Sequence, residues 1–467
     1  MSAQDPTQQL RTLKLDGRIV TPADDDWDEA RAVWNGMIVR QPAAVLQAAS
    51  PEDEAAGLEA AQAHSLPLAV RGGGHNVAGN STVEGGLVLD LGRMNDVGVN
   101  PGTRVVTAGG GATLGDLDRG TMGYRTAVPA GVVSTTGVGG LTVGGGMGWL
   151  TRAYGLSIDN LLDVHMVTAS GDYVHASAQD NHELFWGVRG GGSNFGVVTG
   201  FEFQGVPLGP DVFAGGVYYL PDKWKDALHR YAEWSQHIPD ELTTIVTWLT
   251  PMEHWGFPEH LSGRPVLALT WCWAGRDMSR GEKAVQDLVD SGADMVDTEP
   301  KPWLDLQTGA DDLFPSGVHA YFKSTYFDDF SDEVIEVLAE HSLKRRSPIA
   351  GTDIHQLGGA YGRVAEDATA FGNRDAGFIL NVWGVWHDSA DDAVEIAWVR
   401  DFWDAMQPYA RGGHYTNFLG HEDIADLKAQ TRESYPPETW ERLVALKDEW
   451  DPGNLFRLNH NIPPSDG

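Results

Sequence analysis

Four clusters of glycine in the first half of the chain point to chemistry on a bound anion. Consecutive glycines free the backbone for positive φ angles and let several N–H groups point at one anion. The clusters therefore predict a binding site for a pyrophosphate, and a dinucleotide is the simplest ligand that carries one. They cover Gly72 to Gly74, Gly109 to Gly111, Gly139 with Gly140 and Gly144 to Gly146, and Gly190 to Gly192.

Two other readings of the glycines are less favoured. A nicotinamide dinucleotide usually binds a G-x-G-x-x-G loop between a strand and a helix. Neither GVGGLTVGGGMG at Gly137 to Gly148 nor RGGGHNVAG at Arg71 to Gly79 has that spacing. Isolated glycines often serve only turns and bulges, but four clusters in one half of a chain exceed the ordinary frequency of glycine.

Neither a metal site nor a disulfide is expected. The sixteen histidines show no H-x-x-x-H or Cys/His ligand spacing on a convincing element. Cys272 is the only cysteine, so no intrachain disulfide can form.

The net charge argues against a nucleic-acid partner and suggests an environment of high salt. The chain has 66 acidic and 33 basic residues, a formal net charge of -33, and only nine lysines. Nucleic acid is therefore not expected as a partner. An acidic, lysine-poor surface also stays hydrated at high salt, which suggests a salt-rich cytoplasm; an ordinary acidic protein is the alternative.

The N-terminus and the hydropathy predict a cytoplasmic protein without a membrane partner. Met1 to Leu15 is polar and lacks the basic-then-apolar order of a signal peptide. No run of about eighteen apolar residues, the length of a membrane span, occurs in the chain.

A chain of 467 residues is longer than one ordinary hydrophobic core accommodates, so two structural regions are expected. Their helices and strands must position the glycine loops. Short strands bounded by glycine or asparagine dominate the first region, and long amphipathic helices alternate with strands from about residue 210. The pattern predicts an α+β fold. Predicted strands are Leu66 to Val70, Leu87 to Leu91, Val105 to Ala108, Val164 to Thr168, Val266 to Trp273 and Phe378 to Trp386, and predicted helices are Glu333 to Leu343 and Glu438 to Leu446.

Several motifs together resemble the berberine bridge enzyme-like branch of the vanillyl-alcohol oxidase flavoprotein superfamily. They are RGGGHNVAG, PAGVVSTTGVGGLTVGGGMGWLTRAYGLSIDNL from Pro129, ELFWGVRGGGSNFGVVTGFEF from Glu183, YTNF from Tyr415 and the tail NLFRLNHNIPP. The resemblance implies a two-part FAD-binding domain, residues 1–208 with a returning segment at 431–467. A substrate-binding domain at 209–430, an antiparallel sheet covered by helices, is expected between them.

The resemblance also implies that FAD is covalently bound. The histidine of R-G-G-G-H carries the 8α-methyl of FAD in this family, and His75 occupies that position. Some relatives form a second bond from the cysteine of A-G-V-C-P-T, where this chain has Val133. A single covalent link and a less open substrate cleft are therefore expected.

Further cofactor contacts are implied at positions that match the family's motifs. The backbone and hydroxyl groups of the glycine loops would hold the pyrophosphate and the flavin edge, Val198 the adenine side, and the tail asparagines the flavin. Arg71 and Arg152 would be phosphate partners or surface ion pairs. The full set is Arg71, Gly72, Gly73, Gly74, His75, Asn76, Gly79, Pro129, Gly131, Ser134, Thr135, Gly137, Gly139, Gly140, Gly144, Gly145, Val198, Asn459 and Asn461.

The implied activity is oxidation of a small alcohol, sugar or phenolic substrate by hydride transfer to flavin N5. Tyr415, in the position of the Y-x-N-Y tyrosine, is the leading candidate for the base, although a buried core tyrosine is the alternative. Asn381 would orient a substrate hydroxyl, and Met147 replaces a catalytic tyrosine of plant relatives. Segments that would line the cleft also carry Tyr361, Trp383 and Trp386.

Dioxygen is the expected electron acceptor. Thr136 stands near the position that controls oxygen access in relatives, and its size, close to that of valine, does not block the path. A dehydrogenase that uses another acceptor, and a flavin-binding protein without turnover, remain the alternatives.

Overall fold

A computed structural model describes residues 6–420, 422 and 424–466. The strands are β1 (Arg18–Val20), β2 (Ala44–Gln47), β3 (Leu68–Arg71), β4 (Leu87–Asp90), β5 (Val97–Val99), β6 (Val105–Gly109), β7 (Thr126–Ala127), β8 (Leu161–Val167), β9 (Tyr173–Ser177), β10 (Val197–Gln204), β11 (Val206–Pro207), β12 (Asp211–Tyr219), β13 (Leu242–Leu249), β14 (Val266–Trp273), β15 (Met295–Pro302), β16 (His319–Phe327), β17 (Gly351–Gln356) and β18 (Phe378–Trp386).

The helices are α1 (Pro6–Leu10), α2 (Trp27–Arg31), α3 (Pro51–Ala63), α4 (Leu114–Met122), α5 (Val138–Val143), α6 (Thr151–Tyr154), α7 (His182–Val188), α8 (Trp224–Ser235), α9 (Met278–Val289), α10 (Trp303–Thr308), α11 (Asp332–Ser342), α12 (Asp392–Met406), α13 (Ile424–Glu433) and α14 (Pro437–Trp450). None of those helices combines the length and the apolar character needed to cross a bilayer.

Two small sheets in the N-terminal half present the glycine loops. One has the order β1-β2-β4-β3 with parallel β2–β4 and β3–β4 pairs, and the other has the antiparallel order β5-β6-β10-β8-β9. β3 is a short apolar strand that runs directly into Gly72 and His75. The strand predicted at 66–70 therefore exists, shifted to 68–71.

A seven-stranded antiparallel sheet, β15-β12-β14-β13-β17-β18-β16, forms the second part. One face packs on α8, α9, α11 and α12 through a large apolar core that includes Trp248, Leu269 and Leu380. Successive side chains on a strand point to opposite faces, so the intervening residues face the glycine loops. The prediction of an α+β fold with a helix-covered antiparallel sheet is confirmed.

Local sequence explains the element boundaries in this part. β14 and β18 have the predicted bounds, because long apolar runs rich in branched and aromatic residues favour strands buried on both faces. The helix predicted at 333–343 begins at Asp332, because Ser331 caps it by accepting a hydrogen bond from the Val334 amide at 3.3 Å.

The C-terminal helix α14 contacts the N-terminal half through Lys447, a buried lysine whose charge is paired within the tail. Lys447 Nζ lies 2.7 Å from Asp451 Oδ2, and both side chains are fully buried. The same ammonium donates to the carbonyl oxygens of Asn194 at 2.9 Å and Phe456 at 3.0 Å. Every donor of a buried charge must be satisfied, so this pair holds the tail beside the last glycine cluster.

Candidate active site

A cavity of about 730 Å³ separates the glycine loops from the open face of the seven-stranded sheet. Its walls come from parts of the chain that are distant in sequence. They include residues 72–77, 131–149 and 191–194, strands β13, β17 and β18, residues within 306–314, and the C-terminal residues 415–418 and 458–460.

The first glycine cluster and the loop at Gly137, just before the third cluster, meet backbone to backbone in this wall. A Cβ atom on Gly73 would lie 2.3 Å from the Gly137 nitrogen, and one on Gly137 would lie 2.3 Å from the Gly73 nitrogen. Neither position can carry a side chain without moving a backbone. The two loops therefore present their amides together, as a cradle for an anion requires.

The run Gly144 to Gly146 serves a different contact, with the C-terminal segment. A Cβ atom on Gly144 would lie 2.2 Å from Asn417 Oδ1, and one on Gly145 would lie 3.1 Å from the Tyr415 ring. The Gly146 amide donates to the phenolic oxygen of Tyr415 at 3.0 Å, and Asn417 Nδ2 donates to the same oxygen at 2.9 Å. This glycine run is needed for Tyr415 and Asn417 to reach the cavity.

His75 is fixed on two sides at the end of the first glycine cluster. Its ring stacks on Trp34 with centroids 5.2 Å apart, and Nε2 lies 2.8 Å from the Thr135 hydroxyl oxygen. Burial lowers the pKa of His75 to about 4. The imidazole is therefore neutral at physiological pH, which is the nucleophilic form.

Polar groups without partners in the cavity wall fit a dinucleotide. Asn80 Nδ2, Ser81 Oγ and Asn459 Oδ1 are buried, have no hydrogen-bond partner and belong to lining residues. Buried polar atoms are nearly always satisfied, so unsatisfied atoms beside a cavity are the kind that a ligand would pair with. Together with the glycine cradle, they fit the pyrophosphate and the polar edges of FAD.

A row of polar side chains crosses the sheet opposite the glycine loops. The register places Thr247 of β13, Asp353 of β17, Asn381 of β18 and Ser324 of β16 directly beside one another. Asn381 Nδ2 donates to Asp353 Oδ1 at 3.2 Å, while Asn381 Oδ1 and Ser324 Oγ are buried without a partner. Thr247, Asp353 and Asn381 line the cavity, so this part of the row keeps hydrogen-bonding capacity for a ligand.

His355 follows Asp353 by two residues and so shares its face of β17. Its Nε2 lies 2.8 Å from Asp353 Oδ2, and its Nδ1 is buried without a hydrogen-bond partner. Sequence reasoning missed both residues. The alternation in GTDIHQ, which puts an acid and a histidine on one face, was the available signal.

Aromatic rings border the polar row. Trp383 lies beside Phe322 in the register, and its ring centroid is 5.1 Å from that of Phe314. Gly351 makes room for the indole, because a Cβ atom there would lie 2.4 Å from Trp383. Of the three aromatic residues expected near the cleft, Trp383 lines the cavity, while Tyr361 and Trp386 pack in other cores.

Tyr415 lines the cavity with only 2 % of its surface exposed. Burial raises the pKa of Tyr415 to about 12, although the hydrogen bonds from Gly146 and Asn417 lower it. The phenol is therefore protonated at neutral pH in the chain as described. Both contacts use the oxygen as an acceptor, so the hydroxyl proton remains available for a ligand.

Most of the residues predicted from the sequence line this cavity. The lining set comprises Gly72, Gly73, Gly74, His75, Asn76, Gly131, Gly137, Gly140, Gly144, Asn381, Tyr415 and Asn459. The structure places the other predicted residues outside the lining, and these are Arg71, Gly79, Pro129, Ser134, Thr135, Gly139, Gly145, Val198 and Asn461.

Several residues outside the lining have other partners. Ser134 donates from its amide and its hydroxyl to Asp311, at 2.8 and 2.5 Å. Arg71 is buried and donates to Asp90 at 2.8 Å and to two backbone carbonyls, and Arg152 binds carbonyls of the sheet part. The two arginines thus make structural hydrogen bonds in the interior. They are neither free phosphate partners nor surface ion pairs.

A second cavity, of about 610 Å³, touches the other side of His75. Arg71 and Thr135 line it together with Asp311.

Within the part of the chain that the structure describes, no group of three or more His, Cys, Asp or Glu side chains is arranged to hold a metal ion.

Comparison with known proteins agrees with this geometry. Residues 42–177 match the FAD binding domain family, and residues 415–463 match the berberine and berberine like family. An uncharacterised FAD-linked oxidoreductase of Bacillus subtilis (strain 168) is 30% identical over 97% of this chain and 98% of its own length. The (R)-6-hydroxynicotine oxidase of Paenarthrobacter nicotinovorans is 29% identical over 97% of this chain and 98% of its own length.

Solved structures show the same fold. The 6-hydroxy-D-nicotine oxidase of Arthrobacter nicotinovorans superimposes with a TM-score of 0.85 at 25% identity, covering 97% of this chain and 99% of that one. A glucooligosaccharide oxidase of Acremonium strictum gives 0.85 at 22% identity, covering 96% and 97%. The chain belongs to the berberine bridge enzyme-like branch of the vanillyl-alcohol oxidase superfamily and is an FAD-linked oxidoreductase.

Proposed function

We propose that this enzyme is an oxidase that carries FAD on His75 through one covalent bond and oxidises a small hydroxylated substrate. The observation that carries the proposal is the setting of His75. The ring is neutral, held by Trp34 and Thr135, and lies at the end of a glycine cradle that fits a pyrophosphate. The glucooligosaccharide oxidase of Acremonium strictum carries a 6-S-cysteinyl, 8α-N1-histidyl FAD, and its histidyl bond supports the same linkage here.

A second covalent bond is not expected. Val133 lines the cavity where doubly linked relatives carry cysteine. Cys272 is fully buried in β14 and does not line the cavity, and burial raises the pKa of its thiol. A buried, protonated thiol is a poor nucleophile.

Bound FAD would supply the hydride acceptor at flavin N5, and the chain would supply the rest of the chemistry. The unpartnered Oδ1 of Asn381 would accept a hydrogen bond from the substrate, as its amide character predicts. The Tyr415 hydroxyl would donate to the substrate oxygen from the other wall or, if ionised, accept its proton. The aromatic rings beside the polar row would hold an apolar or ring-shaped part of the substrate.

Dioxygen is the proposed electron acceptor. Thr136 lines the cavity beside Gly137, and its side chain is no larger than that of valine. A dehydrogenase using another acceptor is the second candidate, since one structural neighbour is described as having glucose dehydrogenase activity.

The test is an anaerobic screen that follows bleaching of the yellow holoenzyme with neutral alcohols, phenols and oligosaccharides. We expect one chemical group of this panel to reduce the flavin, and air to reoxidise it with release of hydrogen peroxide. Retained colour with every compound would contradict substrate oxidation. Fast reduction followed by slow reoxidation in air would favour the dehydrogenase.

We further propose that the enzyme works in a salt-rich environment. The net charge of -33 with nine lysines favours hydration and self-repulsion, which salt screens. The midpoint of thermal unfolding should rise between dilute buffer and molar sodium chloride. Full stability in dilute buffer together with loss of fold at molar salt would contradict this.

A further inference from the structure

The polar row that contains Asn381 continues across the sheet to Tyr218 of β12. In the register, Tyr218 lies opposite Ala268, and Ala268 lies opposite Thr247, the first residue of that row. Tyr218 is therefore four strand spacings from Asn381, roughly 19 Å across the sheet. Both residues line the cavity, which thus has a distal end far from Asn381. The side chains of this distal end are Tyr218, Trp255, Phe257, Asp297 and Lys301.

The phenolic oxygen of Tyr218 is free to bind a ligand. Tyr218 is partly exposed, and its oxygen is neither buried nor hydrogen-bonded to another described residue. Gly216 leaves room for this oxygen, because a Cβ atom there would lie 3.2 Å from it. Burial raises the pKa of Tyr218 above its usual range, and the nearby Asp297 carboxylate adds to this effect. The phenol is therefore protonated at neutral pH and can donate a hydrogen bond.

Two aromatic rings from the loop between β13 and β14 stand beside Tyr218. The Phe257 ring meets the Tyr218 ring edge-on with centroids 4.9 Å apart, and the Trp255 ring lies 6.4 Å from that of Phe257. The Trp255 indole is held in place, because its Nε1 donates to Asp312 Oδ2 at 3.2 Å. Aromatic rings beside a hydroxyl donor favour a ring-shaped ligand with polar groups on its edge.

The charged side chains at the distal end are paired with one another. Lys301 forms an ion pair with Asp297, and Asp312 Oδ2 lies 2.9 Å from His254 Nε2. Among the described residues, the cavity lining includes no arginine. An anionic ligand would therefore find no unpaired cation here, and a neutral ligand is favoured.

We propose that the distal end binds a second ring of the substrate and that Tyr218 selects for this ring by donating a hydrogen bond to it. The inference rests on the proposed oxidase function and narrows its substrates to neutral alcohols with at least two rings. A disaccharide and a phenol glycoside both have this chemistry. A single six-membered ring held at Asn381 is too short to reach Tyr218 across roughly 19 Å.

Removing the Tyr218 hydroxyl separates ligand binding from stability. The hydroxyl makes no hydrogen bond to the rest of the described chain, so Tyr218→Phe takes none away from the folded state. We expect this variant to unfold at the wild-type urea midpoint and to carry the same amount of flavin. A change in its kinetics then reports on the substrate.

The test compares one-ring and two-ring alcohols in anaerobic reduction of the flavin. The pairs are glucose with cellobiose, and 4-hydroxybenzyl alcohol with its 4-O-glucoside. For one pair, the two-ring member should reach half-maximal rate in wild type at a concentration about tenfold lower. Tyr218→Phe should remove most of this advantage and leave the rate at saturation unchanged. Tyr124→Phe is the matched control, since Tyr124 is 52% exposed and lies outside the cavity.

The outcomes separate this inference from the proposed function. Equal half-saturation for both members of both pairs would overturn the inference, as would flavin reduction by one-ring compounds alone. A two-ring advantage of the same size in wild type, Tyr218→Phe and Tyr124→Phe would also overturn it. Holoenzyme whose flavin no compound of the screen reduces would overturn the proposed function itself, together with the inference that rests on it.

Discussion

Nε2 of His75 lies 2.8 Å from the hydroxyl oxygen of Thr135, 60 residues away in the sequence. This contact leaves Nδ1 as the nitrogen without a hydrogen bond in the described chain. A threonine hydroxyl both accepts and donates, so it can accept from Nε2–H before Nδ1 is alkylated and donate to Nε2 afterwards. Thr135 is therefore expected to position His75 for attachment of the flavin.

Replacing Thr135 by valine should slow covalent incorporation of FAD about tenfold, the effect of losing roughly 1.4 kcal/mol of hydrogen bonding. Thr135→Ser should incorporate FAD at the wild-type rate. Apoprotein is mixed with FAD, and protein-bound flavin is followed by fluorescence on denaturing gels. Equal time courses for the valine and serine variants would exclude a role for the hydroxyl.

Removing the Tyr415 hydroxyl should weaken substrate orientation without changing the pH profile. Burial raises the pKa of Tyr415 to about 12, so its protonation does not change between pH 6 and 9. Tyr415→Phe removes one hydrogen bond to the substrate. It is therefore expected to lower the rate of flavin reduction roughly tenfold. A pH-dependent limb that disappears in this variant would instead identify Tyr415 as the base.

The glycine at 144 should be required for docking of the C-terminal segment. Gly144→Ala would place a Cβ atom 2.2 Å from Asn417 Oδ1 and should destabilise the protein by about 1 to 3 kcal/mol. Gly123→Ala is the control, because φ is -58° there and a Cβ atom meets nothing within 4 Å. Chemical denaturation compares the two variants. Equal stability would show that the segment adapts to the methyl group.

Asp118 should make the contact between α4 and α10 dependent on pH. Burial raises the pKa of Asp118 to about 6, although hydrogen bonds from Trp303 and Gln307 lower it. The folded state then binds a proton that the unfolded state releases, so stability from this group is full below about pH 4 and is lost as pH rises through 6.

The stability difference between wild type and Asp118→Asn measures this effect. As pH falls from 7 to 4, the free energy of unfolding of wild type should increase relative to that of Asp118→Asn, by an amount on the order of 2 kcal/mol. Urea denaturation at several pH values gives the difference at each. A difference that stays constant with pH would mean that Asp118 is not titrating in this range.

Local sequence was sufficient to predict several strands and the close backbone approach of the glycine loops. The bounds of β14 and β18 follow from apolar runs that suit doubly buried strands. The glycines of RGGGH indicated a close approach, and the structure shows one, since Gly73 and Gly137 touch through their backbones.

Contacts that depend on register or on long separations could not be read from the sequence. The purpose of Gly144 to Gly146 is clear only once Tyr415, 269 residues after Gly146, is seen to bond with its amide. Likewise, Asp353 and Asn381 become neighbours through strand pairing. The partner of Ser134, expected at the flavin, proved to be Asp311 because the sheet part folds back over that loop.

The covalent bond to His75 is the central claim, and the intact mass of the acid-denatured protein tests it most directly. We predict that wild type and Cys272→Ala exceed the mass of the chain by one FAD, that the peptide containing His75 carries it, and that His75→Ala has the mass of the chain alone. Wild-type protein at the mass of the bare chain, or an adduct on any other residue, would contradict the account.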